Sequence, residues 1–306
     1  MLIKKYIFFF YNLIFLIINI IILTNDSSFK LYKYLYSDKS NKVKHQNHKK
    51  IINIYCVDLY RGQNIEEMLV ELLGSEFTFN FDENNPDYLI YNIFGVRHLE
   101  EKYKSCVKIS YSTENKIPDI SYADYSIGFH HINYLDRFFS SNFYYVTNYS
   151  FYQNIRVNVL RNPKRTKFCA AVITNAKSSF RNLFIEELNK YKIVDMGGNY
   201  KNNVGGKIED KISFLEKYKF SIAMENSEGD GYTTEKINQS FIAGTIPIYY
   251  GNYLIDEIYN PKSIILIKGK KDIKKKIEYI KKIDNDDGLY REILKTNIVN
   301  LILIIN

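Results

Sequence analysis

The chain has 306 residues, enough at about 150 residues per domain for two domains or one large one, and its 46% hydrophobic content excludes a disordered chain as the main reading. Lys and Arg total 42 against 34 Asp and Glu, and the resulting charge of +8 is compatible with an anionic ligand, a nucleic acid or a membrane surface without selecting among them. Cys56, Cys106 and Cys169 lie far apart with no C-x-x-C pair, which argues against a zinc ribbon and a disulfide scaffold alike.

Residues 6–23 (YIFFFYNLIFLIINIIIL) carry no charge and follow Lys4 and Lys5. As a helix they would span about 27 Å, near the thickness of a bilayer's hydrocarbon core. A cleavable signal peptide usually has a shorter apolar region ending in small residues, whereas Thr24-Asn25-Asp26-Ser27-Ser28 follows here. The segment therefore reads as an uncleaved transmembrane anchor, ahead of a signal peptide or a buried helix. The two lysines favour a cytosolic N-terminus, making the chain a single-pass type II membrane protein with its bulk on the luminal or outer side. The expected organisation is a cytosolic tip and anchor at 1–25, a polar, lysine-rich stem at 26–50, and two domains at 51–160 and 161–306.

Beyond the stem, the pattern predicts a strand at 51–57, a helix at 64–73 and strands at 77–81 and 88–94. A short charged helix at 96–104, a strand at 106–111 and an aromatic connection at 144–152 come next. The pattern then restarts, with a strand at 168–173, a helix at 179–191, a strand at 220–224, a helix at 234–243 and a strand at 246–250. Ile273, Ile277, Ile280 and Ile283 share one face of a lysine-rich surface helix. Strands alternating with helices argue for α/β layers with mostly parallel sheets, and the restart near residue 165 argues for two such units.

The densest chemistry lies in 220–251, FSIAMENSEGDGYTTEKINQSFIAGTIPIYYG. A strand ends at Glu225-Asn226, and a loop with Gly229 and Gly231 leads to a helix whose N-cap is Thr233 or Thr234. Glu235 and Lys236 then fall in the first turn, where backbone N–H groups, the helix dipole and a lysine converge on a site for an anion or phosphate. The alternative left open by these residues is a plain capped helix between two strands, with Glu235 complementing the dipole. Pro247 is expected near the end of its strand or at a sheet edge.

This stretch resembles the alpha-1,3-fucosyltransferases of glycosyltransferase family 10, whose signature runs F-E-N, a loop, Y-x-T-E-K, a helix, then T-x-P-[IV]-[YV]-x-G. The resemblance extends to FCAAVITNAKSSFRNLFIEEL, VDMGGNYKNNVG, PDYLIYNIFG, YSTENKIPDISYADYSIGF and DRFFSSNFYY, and covers roughly 51–295. It implies the GT-B arrangement of two facing Rossmann-like domains behind the N-terminal transmembrane helix. It also implies an inverting enzyme that moves L-fucose from GDP-fucose to a hydroxyl, the 3-position, of an N-acetylglucosamine or glucose unit in a glycan. By position, Arg181 and Lys236 would hold the diphosphate, Glu235 would contact the fucose, Asn226 and Tyr232 would contact the donor, and Glu114 would be the general base on the acceptor domain. The implied partners are GDP-fucose, an oligosaccharide or glycoconjugate acceptor, and a Golgi or equivalent secretory membrane, with no nucleic acid. No cofactor or metal would be required, although a divalent cation could stimulate. Two other readings stay open: a GT-B transferase with a different nucleotide-sugar donor, and a catalytically silent, membrane-anchored glycan-binding protein. The chain departs from the family pattern at Met224, at Tyr250, and at His130-His131 after I-G-F.

Other motifs are weaker. His45-x-x-His48 has metal spacing but lies in the stem, without a cysteine or an acid cluster. Asp284-Asn285-Asp286 resembles a metal-binding D-x-D, yet beside Gly288 it reads as a solvated turn. Lysines in 268–282 read as a solvated face. Sequons stand at Asn25, Asn148 and Asn238, the last inside a predicted helix. No G-x-S-x-G, P-loop or H-E-x-x-H occurs, which removes the corresponding hydrolase, NTPase and zinc-protease classes.

Overall fold

The computed structural model of the chain describes residues 50–60, 65–74, 77–112, 114–132, 137–140 and 165–298. The expected anchor, the stem as far as residue 49, His45, His48, the sequons at Asn25 and Asn148 and the aromatic connection at 144–152 lie outside them, while Lys50, the last residue of the expected stem, already belongs to a strand. Among the described residues no helix is long and apolar enough to cross a membrane. The chain divides into two compact units, Met1–Ser141 and Asn142–Asn306.

The first unit is built on a sheet of β1 (Lys50–Val57), β2 (Phe77–Phe81), β3 (Tyr88–Tyr91), β4 (Val107–Tyr111), β5 (Tyr125–Gly128) and β6 (Phe138–Ser140). Their order is β2-β1-β3-β4-β5-β6, and every pairing is parallel. Parallel sheets are covered on both faces, and β3 (YLIY) is buried at all its positions. Helix α1 (Ile65–Leu73) packs on β1 and β2, burying Ile65 and Leu69. Two expectations are corrected here. The strand predicted through residue 94 stops at Tyr91, because Asn92 turns its side-chain oxygen onto the N–H of Ile93, 2.7 Å away. The helix predicted at 96–104 is instead two 3-10 turns, Arg97–Leu99 and Glu101–Tyr103, interrupted by an extended backbone at Glu100.

The second unit holds β7 (Lys167–Val172), β8 (Asp195–Gly197), β9 (Tyr218–Ile222), β10 (Ile246–Tyr249) and β11 (Ile265–Leu266), in the order β11-β10-β9-β7-β8 and again all parallel. Its helices are α2 (Ser179–Asn189), α3 (Lys211–Leu215), α4 (Glu235–Ile242), α5 (Ile255–Ile258), α6 (Ile273–Asn285) and α7 (Asp287–Lys295). The isoleucine face predicted for α6 is the buried one, with Ile273, Ile277, Ile280 and Ile283 in the core beside Phe184 and Leu188 of α2. Each such side chain contributes about 1.5–3 kcal/mol by leaving water. Pro247 sits in an interior strand rather than at a sheet edge, but β11 pairs only Ile248 and Tyr249, so the ladder on that side begins after the proline.

Asp284 is not in a solvated turn. It is buried in the last turn of α6, where its carboxylate accepts hydrogen bonds from Tyr191 Oη (3.0 Å) and Lys192 Nζ (2.5 Å) and lies 3.4 Å from Lys219 Nζ. Asp286 caps α7 by accepting from the N–H of Leu289. Among the described residues no group of three or more His, Cys, Asp and Glu is placed to hold a metal ion. Asn238 is buried within α4, and its side-chain oxygen accepts from Tyr259 Oη at 2.7 Å, which closes that sequon to a glycan.

Candidate functional site

In open parallel sheets, ligands gather at the carboxyl ends of the strands. In the second unit, β9 runs out at Ile222, and the chain continues through Met224, Glu225 and Asn226 into the glycine-containing loop and then α4. The loop is tightly held. Asn252 accepts from the N–H of Gly231 (3.0 Å) and donates to Thr233 Oγ1 (3.1 Å), while Tyr249 Oη donates to the carbonyl of Tyr232 at 3.4 Å. Tyr232 is buried in this loop.

Glu225, which is not among the residues expected above, organises the site. Its side chain has no solvent exposure, and its carboxylate accepts from the backbone N–H of Thr234, from Thr234 Oγ1 and from Lys236 Nζ, each at 2.8 Å. A buried carboxylate requires such partners. Thr234 is the N-cap of α4, but its hydroxyl makes no capping bond; it serves Glu225 and accepts from Lys236 Nζ at 2.7 Å. The Thr234 side chain therefore caps none of the first-turn N–H groups of α4. The acid before Asn226, followed eleven residues later by a lysine, is the sequence signal that could have singled Glu225 out.

Arg181, on α2, is buried rather than a helix-surface residue. Its guanidinium donates to the carbonyl of Asn175 (2.6 Å) and to Asn226 Oδ1 (2.8 Å), with the carbonyl of Met224 at 3.4 Å, so it ties the β7–α2 loop to the end of β9. These partners are neutral oxygens, and its Nε–H is buried without a partner among the described residues. Burial lowers its pKa from the ordinary arginine value, opposed by the nearby Glu225 and Tyr200.

Glu235 opens α4 with 41% of its side chain exposed and one oxygen 3.7 Å from Lys236 Nζ. Burial of its carboxyl works against ionisation, but Lys236, Lys211 and hydrogen bonds from the helix start outweigh it and lower the pKa. Burial likewise opposes the charge of Lys236, and Glu225 and Glu235 more than restore it, so its pKa is raised. Lys211 was also missed in the sequence. It begins α3, which packs on α4, and burial lowers its pKa, with Lys236 and Arg181 adding to the effect and Glu235 and Glu225 opposing it. The neighbourhood therefore collects three cations, Arg181, Lys211 and Lys236, against two carboxylates, Glu225 and Glu235. Its charge and its helix start have the chemistry that suits an anion.

Five of the expected residues, Arg181, Asn226, Tyr232, Glu235 and Lys236, are thus gathered at one strand end. Glu114 belongs to the first unit, where it is exposed in the loop after β4. Ser112 Oγ pins that loop to the carbonyls of Glu114 and Lys116, at 3.1 Å each. Met224 is buried in the core, and Tyr250 packs tilted against Phe180, ring centroids 4.2 Å apart, and donates to Glu228 (3.2 Å). His130 is buried and His131 exposed.

Two family models match the chain: the alpha-(1,3)-fucosyltransferase FucT N-terminal domain over residues 54–152, and the C-terminal part of glycosyltransferase family 10 (fucosyltransferase) over 162–296. The alpha-(1,3)-fucosyltransferase FucT of Helicobacter pylori is 26% identical over 269 residues, which cover 76% of this chain and 56% of that protein. The chain thus spans little more than half the length of that relative. Among solved structures, a crystal structure of an alpha1,3-fucosyltransferase superposes with a TM-score of 0.71 at 24% identity, covering 85% of this chain and 86% of the other. The form of that structure determined with GDP-fucose gives a TM-score of 0.69 at 23% identity and the same coverage. At these identities the structures establish the shared fold.

Proposed function

The chain belongs to glycosyltransferase family 10, the fucosyltransferases, and from that premise we propose that it transfers L-fucose from GDP-fucose to the 3-hydroxyl of an N-acetylglucosamine or glucose unit in a glycan, with inversion at the sugar carbon. The observation that carries this reading is the partly uncompensated positive charge around Arg181, Lys236 and Lys211 at the start of α4. A diphosphate supplies the missing negative charge. Lys236 uses two of its N–H groups on Glu225 and Thr234, which leaves the third for a phosphate oxygen. Arg181 supplies a fixed fork, and Asn226, whose oxygen is held by Arg181, keeps its amide N–H groups for the donor.

The chemistry is a single displacement. The acceptor oxygen forms a bond to the sugar carbon as the bond from that carbon to the phosphate oxygen breaks, and GDP departs with the electron pair. Glu114 takes the acceptor's proton, for which one carboxylate suffices. Arg181, Lys236 and the start of α4 stabilise the charge that grows on the leaving diphosphate. Glu235, held ionised by Lys236 and Lys211, faces the positive charge that develops on the sugar. In this reading the first unit is the acceptor side and carries Glu114. Protein cations hold the phosphates, so activity should survive EDTA. Residues 6–23 are the proposed type II anchor in a Golgi or equivalent secretory membrane, and full-length protein should resist alkaline carbonate extraction.

The test is to incubate the full-length chain with GDP-fucose, and separately with other nucleotide sugars, over a panel of oligosaccharide acceptors. Fucosylated product of inverted configuration from GDP-fucose alone is expected. Transfer from a different nucleotide sugar, or glycan binding without transfer, would replace this reading.

A further inference from the structure

Residues 268–282 concentrate the charge of the chain. Eight lysines stand there against Asp272 and Glu278, a formal +6 in this short run where the whole chain carries +8. The run covers a 3-10 turn, Lys270–Asp272, and most of α6, which follows it. The isoleucines of α6 are committed to the core, and at 3.6 residues per turn the positions directly opposite them are Lys271, Lys275 and Lys282. All three are exposed. Lys281 is paired with Glu278 at 2.8 Å, but Lys270, Lys271, Lys274, Lys275, Lys276 and Lys282 make no ion pair with any described residue. Like charges three or four positions apart, such as Lys271 and Lys275, work against a helix, and an anionic partner would offset them.

Beside this face a groove of about 430 Å³ runs between α2 and α6. Its floor is aliphatic, with Ile273 and Ile277 buried and Leu183 half-buried, and the exposed Lys190, Lys270 and Lys274 stand at its rim. An apolar floor under a cationic rim suits an amphiphile, whose anionic head meets the ammonium groups while its hydrocarbon leaves water. A nucleic acid matches it poorly. Base edges are read mainly by arginine and single strands by stacked aromatics, whereas 268–282 contains no arginine and Tyr279 as its single aromatic.

We propose that the lysine face of α6, with the groove beside it, docks on an anionic bilayer surface, the lysines taking lipid phosphate and carboxylate groups and the groove taking part of one lipid. Clusters of about four to eight basic residues on a helix are what such a surface attracts. The apolar face of α6 is already used by the core, so the helix lies along the surface without entering it, unlike an amphipathic helix that inserts. The attraction is therefore electrostatic and screened by salt. It rests neither on residues 6–23 nor on the fucosyl-transfer reading. It requires only that the leaflet facing the second unit carry anionic lipid.

The experiment combines the full-length protein with vesicles of phosphatidylcholine, alone or mixed with phosphatidylserine, and follows acetylation of each lysine by mass spectrometry. In the mixed vesicles Lys270, Lys271, Lys274, Lys275 and Lys282 should be protected relative to phosphatidylcholine alone, and high salt should remove the protection. Lys207 and Lys217, exposed elsewhere on the second unit, should react alike in both. The triple variant Lys271→Gln/Lys275→Gln/Lys282→Gln should weaken docking roughly 100-fold, at about fivefold per lysine, and so lose the protection of Lys270 and Lys274. The matching triple arginine variant should keep it, and both variants should melt with the wild type, since the three positions are exposed and carry no ion pair among the described residues. Equal acetylation in the two kinds of vesicle overturns the proposal. So does protection that survives the glutamine variant or disappears in the arginine variant. Protection by an oligonucleotide but not by phosphatidylserine assigns the face to nucleic acid and overturns it as well. Docking by a protein that transfers no fucose keeps the proposal and removes only the transferase reading.

Discussion

Lys236 Nζ stands 2.8 Å from Oε2 of Glu225, a carboxylate without solvent exposure. The lysine expected to serve a ligand is therefore first committed to the fold, and a ligand arriving there would meet a cation whose position a buried acid has set. Removing one member of a buried ion pair costs about 3–5 kcal/mol, because the other is left uncompensated. Glu225→Gln should lie at the low end of that range, since Lys236 keeps a route to water. Urea unfolding of the single variants and of the Glu225→Gln/Lys236→Met double variant checks it. The double variant should recover part of the loss, and strictly additive losses would deny the coupling.

Arg181→Ala and Lys236→Ala should each weaken GDP-fucose binding and slow transfer about 30- to 1,000-fold, equivalent to roughly 2–4 kcal/mol for one oriented cationic contact. Arg181→Lys should not rescue, because an ammonium cannot reach the Asn175 carbonyl and Asn226 with the geometry of a planar fork. Calorimetry with GDP and single-turnover rates measure both. Wild-type kinetics in both alanine variants would move the donor site elsewhere.

Glu114→Gln keeps shape and hydrogen bonding but removes the base. Transfer should fall by about 10²- to 10⁴-fold, with GDP affinity within a few-fold of wild type. Lost GDP binding would instead make Glu114 a donor-side or structural residue.

Asp284 titrates as a stabilising group. Burial raises its pKa, but hydrogen bonds from Lys192 and Tyr191 and the charge of Lys219 outweigh that and leave it below the ordinary value of 3.8. Its stabilisation is complete above the unfolded-state value and lost as pH falls through the folded one. Asp284→Asn should therefore lower stability at pH 7 by about 2–4 kcal/mol, and the gap to wild type should close in acid, below about pH 4. Thermal unfolding at pH 7 and pH 3 measures it. A gap that stays constant with pH would mean that charge is irrelevant at this site.

Gly251 has φ 152°, and a Cβ there would lie 2.5 Å from Cγ of Glu225. Gly251→Ala should cost at least about 1–3 kcal/mol through strain and overpacking and should weaken GDP binding by displacing Glu225. Gly206→Ala, with nothing within 4 Å of its Cβ, is the matched control and should be near neutral. Equal melting temperatures for the two variants would contradict this account.

Much of this molecule was legible residue by residue. Hydrophobic spacing located α6 and its buried isoleucines, because a helix face is a local property of period 3.6. The alternation of strands and helices indicated parallel sheets, since parallel neighbours need a crossover between them. The run from Glu225 to Gly251 carried the family signature and four of the expected residues, Asn226, Tyr232, Glu235 and Lys236, to which α2 adds Arg181 through its bond to Asn226. β5, β6, β8, α3 and β11 escaped; strands as short, such as β3 (YLIY) and β10 (IPIY), did not, because they are apolar runs buried at every position. The residue before Asn226 escaped for a different reason. Nothing local distinguishes a buried glutamate from a surface one, and its role depends on Thr234 and Lys236 returning to it across the loop.

What the sequence determined by itself was therefore whatever depends on neighbours along the chain: fold class, the position of Glu235 and Lys236 in the first turn of α4, and membership of a signature. Tertiary structure decided whatever depends on burial. It turned Asp284 from a solvated turn into a paired anchor, made Glu225 the centre of the site, and drew Lys211 on α3 to the acids of α4. In each case the deciding quantity is the cost of taking a charged or polar group out of water, which is fixed only when the partners, far away in sequence, have come into contact.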